Sequence, residues 1–163
     1  MPKDGISFNQ DLDGAGVRLA IVVARFNTHV TRRLYDGCRA TLAEHGVNLE
    51  SVRTVEVPGA FELPLIASTL GASGRFDAII CLGAVIRGET PHFDYVSGQA
   101  AEGIQRAALD TGVPVVFGVL TTDTEEQALA RAGGSAGDKG ADAALTAIEM
   151  ARTMRQIRDA PDG

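Results

Sequence analysis

Ala78-Ile-Ile-Cys-Leu-Gly-Ala-Val-Ile86, running on into Arg87-Gly-Glu-Thr-Pro-His92, sets the architecture. The first part carries no charge and is rich in apolar and β-branched residues. Such a run reads as a strand buried on both faces, the condition of a parallel sheet with helices above and below. The second part reads as a turn into a helix. Thr90 can cap it and Pro91 suits its first position, which predicts a helix over Pro91–Thr111 with His92 second in it.

The same alternation extends both ways along the chain. Val17–Ala24 is another continuous apolar run, hence a strand. Thr28–His45 places Val30, Leu34, Cys38 and Leu42 four apart, a helical stripe that Gly46 can stop. Leu49–Val57 reads as a strand and Phe61–Leu70 as a helix with an early Pro64. Pro114–Thr121 is a fourth strand. Thr124–Ala132 is a short helix with Glu125 and Glu126 in its first turn, where carboxylates suit the helix dipole. Gly133–Gly137 interrupts it, and Asp138–Arg158 is a final amphipathic helix.

Strands alternating with helices imply βαβ units. The expected fold is therefore a three-layer α/β/α domain: a flavodoxin-like, four-stranded parallel sheet with helices on both faces. A single domain over residues 1–163 is expected, with residues 1–16 as a polar arm and 159–163 as a loose tail. Ligands in such sheets bind beyond the carboxyl ends of the strands, near the switch in strand order. That rule selects Arg25–Asn27, Pro58–Glu62, Arg87–Phe93 and Thr121–Thr124.

Composition narrows the function. The chain has 163 residues, 45% of them apolar, only 5% aromatic and no Trp, so its core rests on Val, Ile, Leu and Ala. The net charge is −6 and no segment concentrates Lys or Arg, which argues against nucleic-acid and anionic-membrane partners. No stretch approaches a membrane span, and residues 1–16 lack the apolar run of a signal peptide. Cys38 and Cys81 sit in apolar segments and read as buried, reduced thiols of a cytoplasmic protein. No Cys/His spacing suggests a metal site, and no dinucleotide, Walker or serine-elbow motif is present, so neither metal nor cofactor is expected.

The loops suggest chemistry. Gly88, Glu89 and Thr90 bring backbone N–H groups to a helix start, an anion site. His92 lies beside it. The positive helix end favours a neutral imidazole, suited to moving protons. Phe26 follows a buried strand and either stacks on a flat ring or plugs the core. Ala60, Phe61 and Glu62 open a helix towards the cleft. Glu62 either accepts hydrogen bonds from a polyol or amine or complements the dipole. Phe117 borders the cleft or fills the core. Arg131 can reach a phosphate or remain a solvated charge. Lys139 opposes the dipole of the last helix, which points to a ligand or intersubunit role. His29 and His45 read as structural or solvated, His29 being the nearer to the first loop.

Taken together, Ala24-Arg-Phe-Asn27, Val57-Pro-Gly-Ala-Phe-Glu-Leu-Pro64, Gly83 to Val96 and Phe117 to Ala128, with Arg131-Ala-Gly133 and Asp138-Lys-Gly140, resemble lumazine synthases. The match is co-linear from about residue 17 to residue 155. It implies a transferase of riboflavin biosynthesis that condenses 5-amino-6-(D-ribitylamino)uracil with 3,4-dihydroxy-2-butanone 4-phosphate. By this resemblance Phe26 stacks on the pyrimidine, and Ala60, Phe61 and Glu62 hold the ribityl side. Ala84, Val85 and Ile86 border the pyrimidine, while Glu89, Thr90 and Arg131 take the phosphate. His92 is the proton donor, Phe117 comes from the adjacent subunit, and Lys139 stands near the pocket. The resemblance also implies a homopentamer with sites between subunits, which stays alone, pairs or closes into a sixty-subunit icosahedral capsid. The arm Ile6-Ser-Phe8 would add to a neighbour's sheet, and riboflavin synthase is an implied associate. Asp138 departs from the Asn common before Lys-Gly. Two other readings stand beside this one: an archaeal-type riboflavin synthase, and a non-catalytic flavin- or pyrimidine-binding shell.

Overall fold

The computed structural model describes residues 10–161. The expected edge strand at Ile6–Phe8 lies outside them.

Four strands, β1 (Leu19–Ala24), β2 (Arg53–Val57), β3 (Ala78–Ile86) and β4 (Val115–Thr122), form a parallel sheet in the order β2-β1-β3-β4. Among the described residues the five α-helices are α1 (Thr28–Glu44), α2 (Leu63–Ala72), α3 (His92–Thr111), α4 (Glu125–Ala130) and α5 (Lys139–Asp159). This is the expected three-layer α/β/α arrangement. The central strands explain their own composition. Successive side chains of a strand point to opposite faces. Leu19 and Ile21 of β1, with Ile80 and Leu82 of β3, pack on one face against Leu34 and Leu42 of α1 and Ile148 of α5. Ala20 and Val22, with Ile79 and Cys81, pack on the other face against Leu63 and Ala67 of α2 and Ile104 of α3. Both faces are covered, so every position must be apolar.

Several boundaries differ from the sequence reading. Leu49–Val57 is not one strand: Leu49–Ser51 is a 3-10 turn, started by the Asn48 side chain accepting from Glu50 N–H at 3.1 Å. The expected helix from Phe61 begins as a 3-10 turn over Ala60–Glu62 and becomes α2 at Leu63. Pro91 is the cap residue of α3, so His92 is its first helical residue rather than its second. α4 ends at Ala130, and α5 runs one residue further than expected, through Asp159. The Gly-rich link before α5 is a small antiparallel hairpin of β5 (Ala132–Gly134) and β6 (Gly137–Asp138), not a plain break.

α1 and α5 cross closely. A Cβ on Gly140 would overlap the Leu34 carbonyl, and one on Gly37 would overlap the Asp138 carboxylate. Asp138 caps α5 by accepting from Gly140 and Ala141 N–H at 2.9 and 3.1 Å. That task needs an oxygen acceptor, which Asp supplies as well as Asn. At the opposite end of the sheet, buried Asp77 accepts from Arg18 N–H at 2.8 Å and from the guanidinium groups of Arg18 and Arg155. Burial pushes its carboxyl up, but these hydrogen bonds and the Arg155 charge outweigh burial and hold it below its ordinary value.

Candidate active site

The strand order places the site. The chain leaves β1 for β2 on one side and returns to β3 on the other. The crevice therefore lies beyond the carboxyl ends of β1 and β3. An open cleft of about 730 Å³ occupies that place. Phe26, Ala60, Phe61, Glu62, Ala84, Val85, Ile86, Thr90 and His92 all line it, from the first three loops and the end of β3. Asn27, Pro58, Gly59, Gly88, Phe93, Tyr95 and Val96 complete the wall.

The first loop is tied to its neighbours. Arg25 N–H donates to the Val57 carbonyl at 2.8 Å and Phe26 N–H to the Pro58 carbonyl at 2.9 Å, which prolongs the β1–β2 ladder past the strands. Asn27 sits at φ 62°, a left-handed conformation that side chains with local hydrogen-bonding capacity tolerate best. Its amide donates to the Ala84 carbonyl at 2.8 Å. The result projects Phe26 outward: it is 72% exposed, which excludes the core-plug reading. Phe61 is also exposed, whereas Ala60 is buried.

In the second loop the Glu62 carboxylate accepts from Gly59 N–H at 3.0 Å while Glu62 N–H donates to the Gly59 carbonyl at 3.2 Å. Glu62 thus holds the turn and lines the cleft at once. In the third loop Thr90 Oγ1 accepts from His92 N–H at 3.4 Å, and His92 opens the 20-residue helix α3. His92 is exposed to the cleft. Glu89 is exposed in the same turn but does not line the cleft.

Phe117, Lys139 and Arg131 are not brought to this cleft. Phe117 lies well before the end of β4, opposite Cys81. With Lys139 and Asp142 it lines a second groove, of about 710 Å³, along the outer edge of β4 between α3 and α5. Arg131 is exposed at the end of α4, where its guanidinium donates to the Gln127 carbonyl at 3.0 Å. His29 pairs with Glu125 at 2.6 Å, and His45 hydrogen-bonds the Leu12 carbonyl at 3.0 Å.

The sequence reading missed two residues that organise the site. Asn27 was legible only as loop. Arg87 was read only as the first residue of the third loop, with no role of its own, yet its guanidinium meets Asp123, Asp94 and the Phe93 ring. Asp123 is 36 positions away, a separation that no local pattern signals.

The chain matches the family model of 6,7-dimethyl-8-ribityllumazine synthase over residues 16–155. It is similar to the 6,7-dimethyl-8-ribityllumazine synthase of Syntrophus aciditrophicus (strain SB), with 57% identity over 142 residues, covering 87% of this chain and 92% of that protein. The matched region contains both central strands, all three cleft loops and the His92 turn, and on those grounds the chain belongs to the 6,7-dimethyl-8-ribityllumazine synthase family.

Proposed function

We propose that the chain is a transferase of riboflavin biosynthesis that condenses 5-amino-6-(D-ribitylamino)uracil with 3,4-dihydroxy-2-butanone 4-phosphate, with His92 moving the proton. One observation carries the residue assignment: Phe26, Thr90 and His92, drawn from two loops, face one cleft at the switch point of the sheet. The amine of the pyrimidine adds to the ketone and a Schiff base forms with loss of water. Phosphate then leaves, and the ring closes with loss of a second water to give 6,7-dimethyl-8-ribityllumazine.

The roles follow the geometry. Phe26 is exposed and beside the apolar wall of Ala84, Val85 and Ile86, as a flat pyrimidine needs. Ala60, Phe61 and Glu62 take the ribityl chain. Thr90, with Glu89 in the same turn, holds the phosphate at the start of α3, the helix end whose dipole favours an anion. His92 gives and takes protons beside it. Positioning of two substrates supplies much of the acceleration.

Phe117, Arg131 and Lys139 lie outside this chain's own cleft, so their roles require a second copy. A cyclic arrangement in which one copy's β4 edge completes the next copy's cleft accounts for Phe117 and Lys139, which line that edge, and Arg131 would come from the same neighbouring copy. We take this assembly to be a homopentamer in the cytoplasm, able to remain alone, pair or close into a sixty-subunit capsid with riboflavin synthase as an associate. The tight β5–β6 hairpin suits the shell. Among the described residues, no helix is long and apolar enough to cross a membrane.

The test is product formation by the purified chain, followed by lumazine fluorescence. His92→Ala should lower kcat by roughly 100-fold, the low end of general acid–base contributions. A wild type that binds the pyrimidine yet forms no lumazine would establish a binding shell instead. Sedimentation velocity separates pentamer, decamer and shell.

A further inference from the structure

Arg87 is the first residue after β3. Its N–H donates to the Thr122 carbonyl at 2.8 Å, so its backbone is fixed to the end of β4. Its side chain then reaches in two directions. Nε donates to Asp123 Oδ1 at 2.9 Å. Nη1 approaches Asp94 Oδ1 at 3.5 Å, and the guanidinium carbon lies 4.3 Å from the centre of the Phe93 ring. Residues 88–92 lie between these anchors. One side chain therefore closes the turn that carries Gly88, Thr90 and His92, gripping it at both ends.

Asp123 is itself held. Gln127 Oε1 accepts from Asp123 N–H at 2.8 Å and from Thr124 N–H at 3.2 Å, while Thr124 Oγ1 accepts from Gln127 N–H at 3.1 Å. The capping box of α4 thus fixes Asp123, Asp123 fixes Arg87, and Arg87 fixes the first turn of α3. An Arg is needed for this. Its planar fork can meet two carboxylates and stack on a ring together, which an ammonium cannot. Two carboxylates already balance its charge, so the guanidinium is poorly placed to serve as a free cation for substrate phosphate.

We infer that Arg87 is a positioning residue, clasping the His92 turn to the β4–α4 loop so that the imidazole meets the substrates in reacting geometry. The inference rests on the reading of His92 as the proton-transfer group. Exposed ion pairs add little to stability, and Arg87 is 46% exposed, so the clasp acts on geometry rather than on folding. Misplacement of a reacting group by an ångström can cost up to about a hundredfold in rate.

The experiment uses the assembled enzyme with Arg87→Gln, Arg87→Lys and Asp123→Ala, singly and with His92→Ala. Arg87→Gln should lower kcat about tenfold, with KM for either substrate changed less than about twofold and the urea midpoint unmoved. Arg87→Lys should recover only part of that loss. Asp123→Ala should act in the same direction, and Arg87→Gln/Asp123→Ala should be no worse than the worse single variant. In the His92→Ala background Arg87→Gln should have no further effect. A KM for the keto-phosphate raised at unchanged kcat would make Arg87 a phosphate ligand and overturn the inference. So would unchanged kinetics, or a full tenfold loss on top of His92→Ala. If the wild type forms no lumazine, the functional reading fails by itself. Amide exchange then still tests the clasp: N–H groups of residues 92–95 should exchange faster in Arg87→Gln, and unchanged exchange would overturn it.

Discussion

The side-chain amide of Asn27 donates to the carbonyl of Ala84 at 2.8 Å, across the seam between β1 and β3. This bond joins the residue beside Phe26 to the strand that forms the cleft floor. It also explains why a side chain, rather than glycine, occupies the left-handed position at φ 62°.

Asn27→Ala should therefore lose twice. It removes the bond to Ala84 and strains the backbone, at a combined cost of about 2 kcal/mol in urea unfolding. Asn27→Gly relieves the strain and should lose about half as much. Both should raise KM for the pyrimidine, since both free the Phe26 loop.

Phe26→Ala separates binding from stability. Because Phe26 is exposed, its removal should leave the urea midpoint unchanged within about 0.5 kcal/mol. The KM for the pyrimidine should rise about tenfold, as expected for a lost stacking partner worth about 1 kcal/mol or more. A large fall in midpoint would return Phe26 to the core.

Asp77 should govern stability in acid. Its folded carboxyl titrates below its unfolded value of 3.8. The stabilisation is then complete above that value and lost as pH falls through the folded one. Asp77→Asn should cost about 1–3 kcal/mol at neutral pH. The gap between variant and wild type should close as pH falls through the folded value, where the wild-type carboxyl is itself protonated. Urea titrations at several pH values measure it.

Gly140→Ala should destabilise by about 1–3 kcal/mol. The added methyl meets the Leu34 backbone carbonyl, which cannot rotate away as a side chain could. Thermal unfolding reads the loss directly. A neutral Gly140→Ala would mean that α1 and α5 separate more easily than their crossing suggests.

Cys38 and Cys81 should be inert in the native state. Both are fully buried, and burial pushes each thiol up to about 12, with the Asp138 charge adding at Cys38. A disulfide reagent should titrate two thiols only after unfolding.

The sequence was most legible where one requirement acted alone. Ala78–Ile86 had to be apolar at every position, so its bounds emerged intact. It misled where two requirements met. Leu49 is apolar and packs against the core, yet Asn48 turns the backbone before β2 begins. The hairpin at Ala132–Asp138 escaped notice because its strands are short and glycine-rich, with no alternation to read. His92 and Thr90 could be placed in the cleft because a strand end and a helix start bracket them. The partnership of Arg87 with Asp123 could not, since it depends on how two loops far apart in the chain finally meet.

The division of the core by the sheet has one more effect. β1 and β3 contribute to both apolar clusters, and the first and third loops spring from their ends. Neither half of the molecule can form the cleft without the other. Competence to hold a ligand and native folding should thus be one equilibrium: a tight cleft ligand would raise the melting temperature with its concentration, and partly folded chains would bind none.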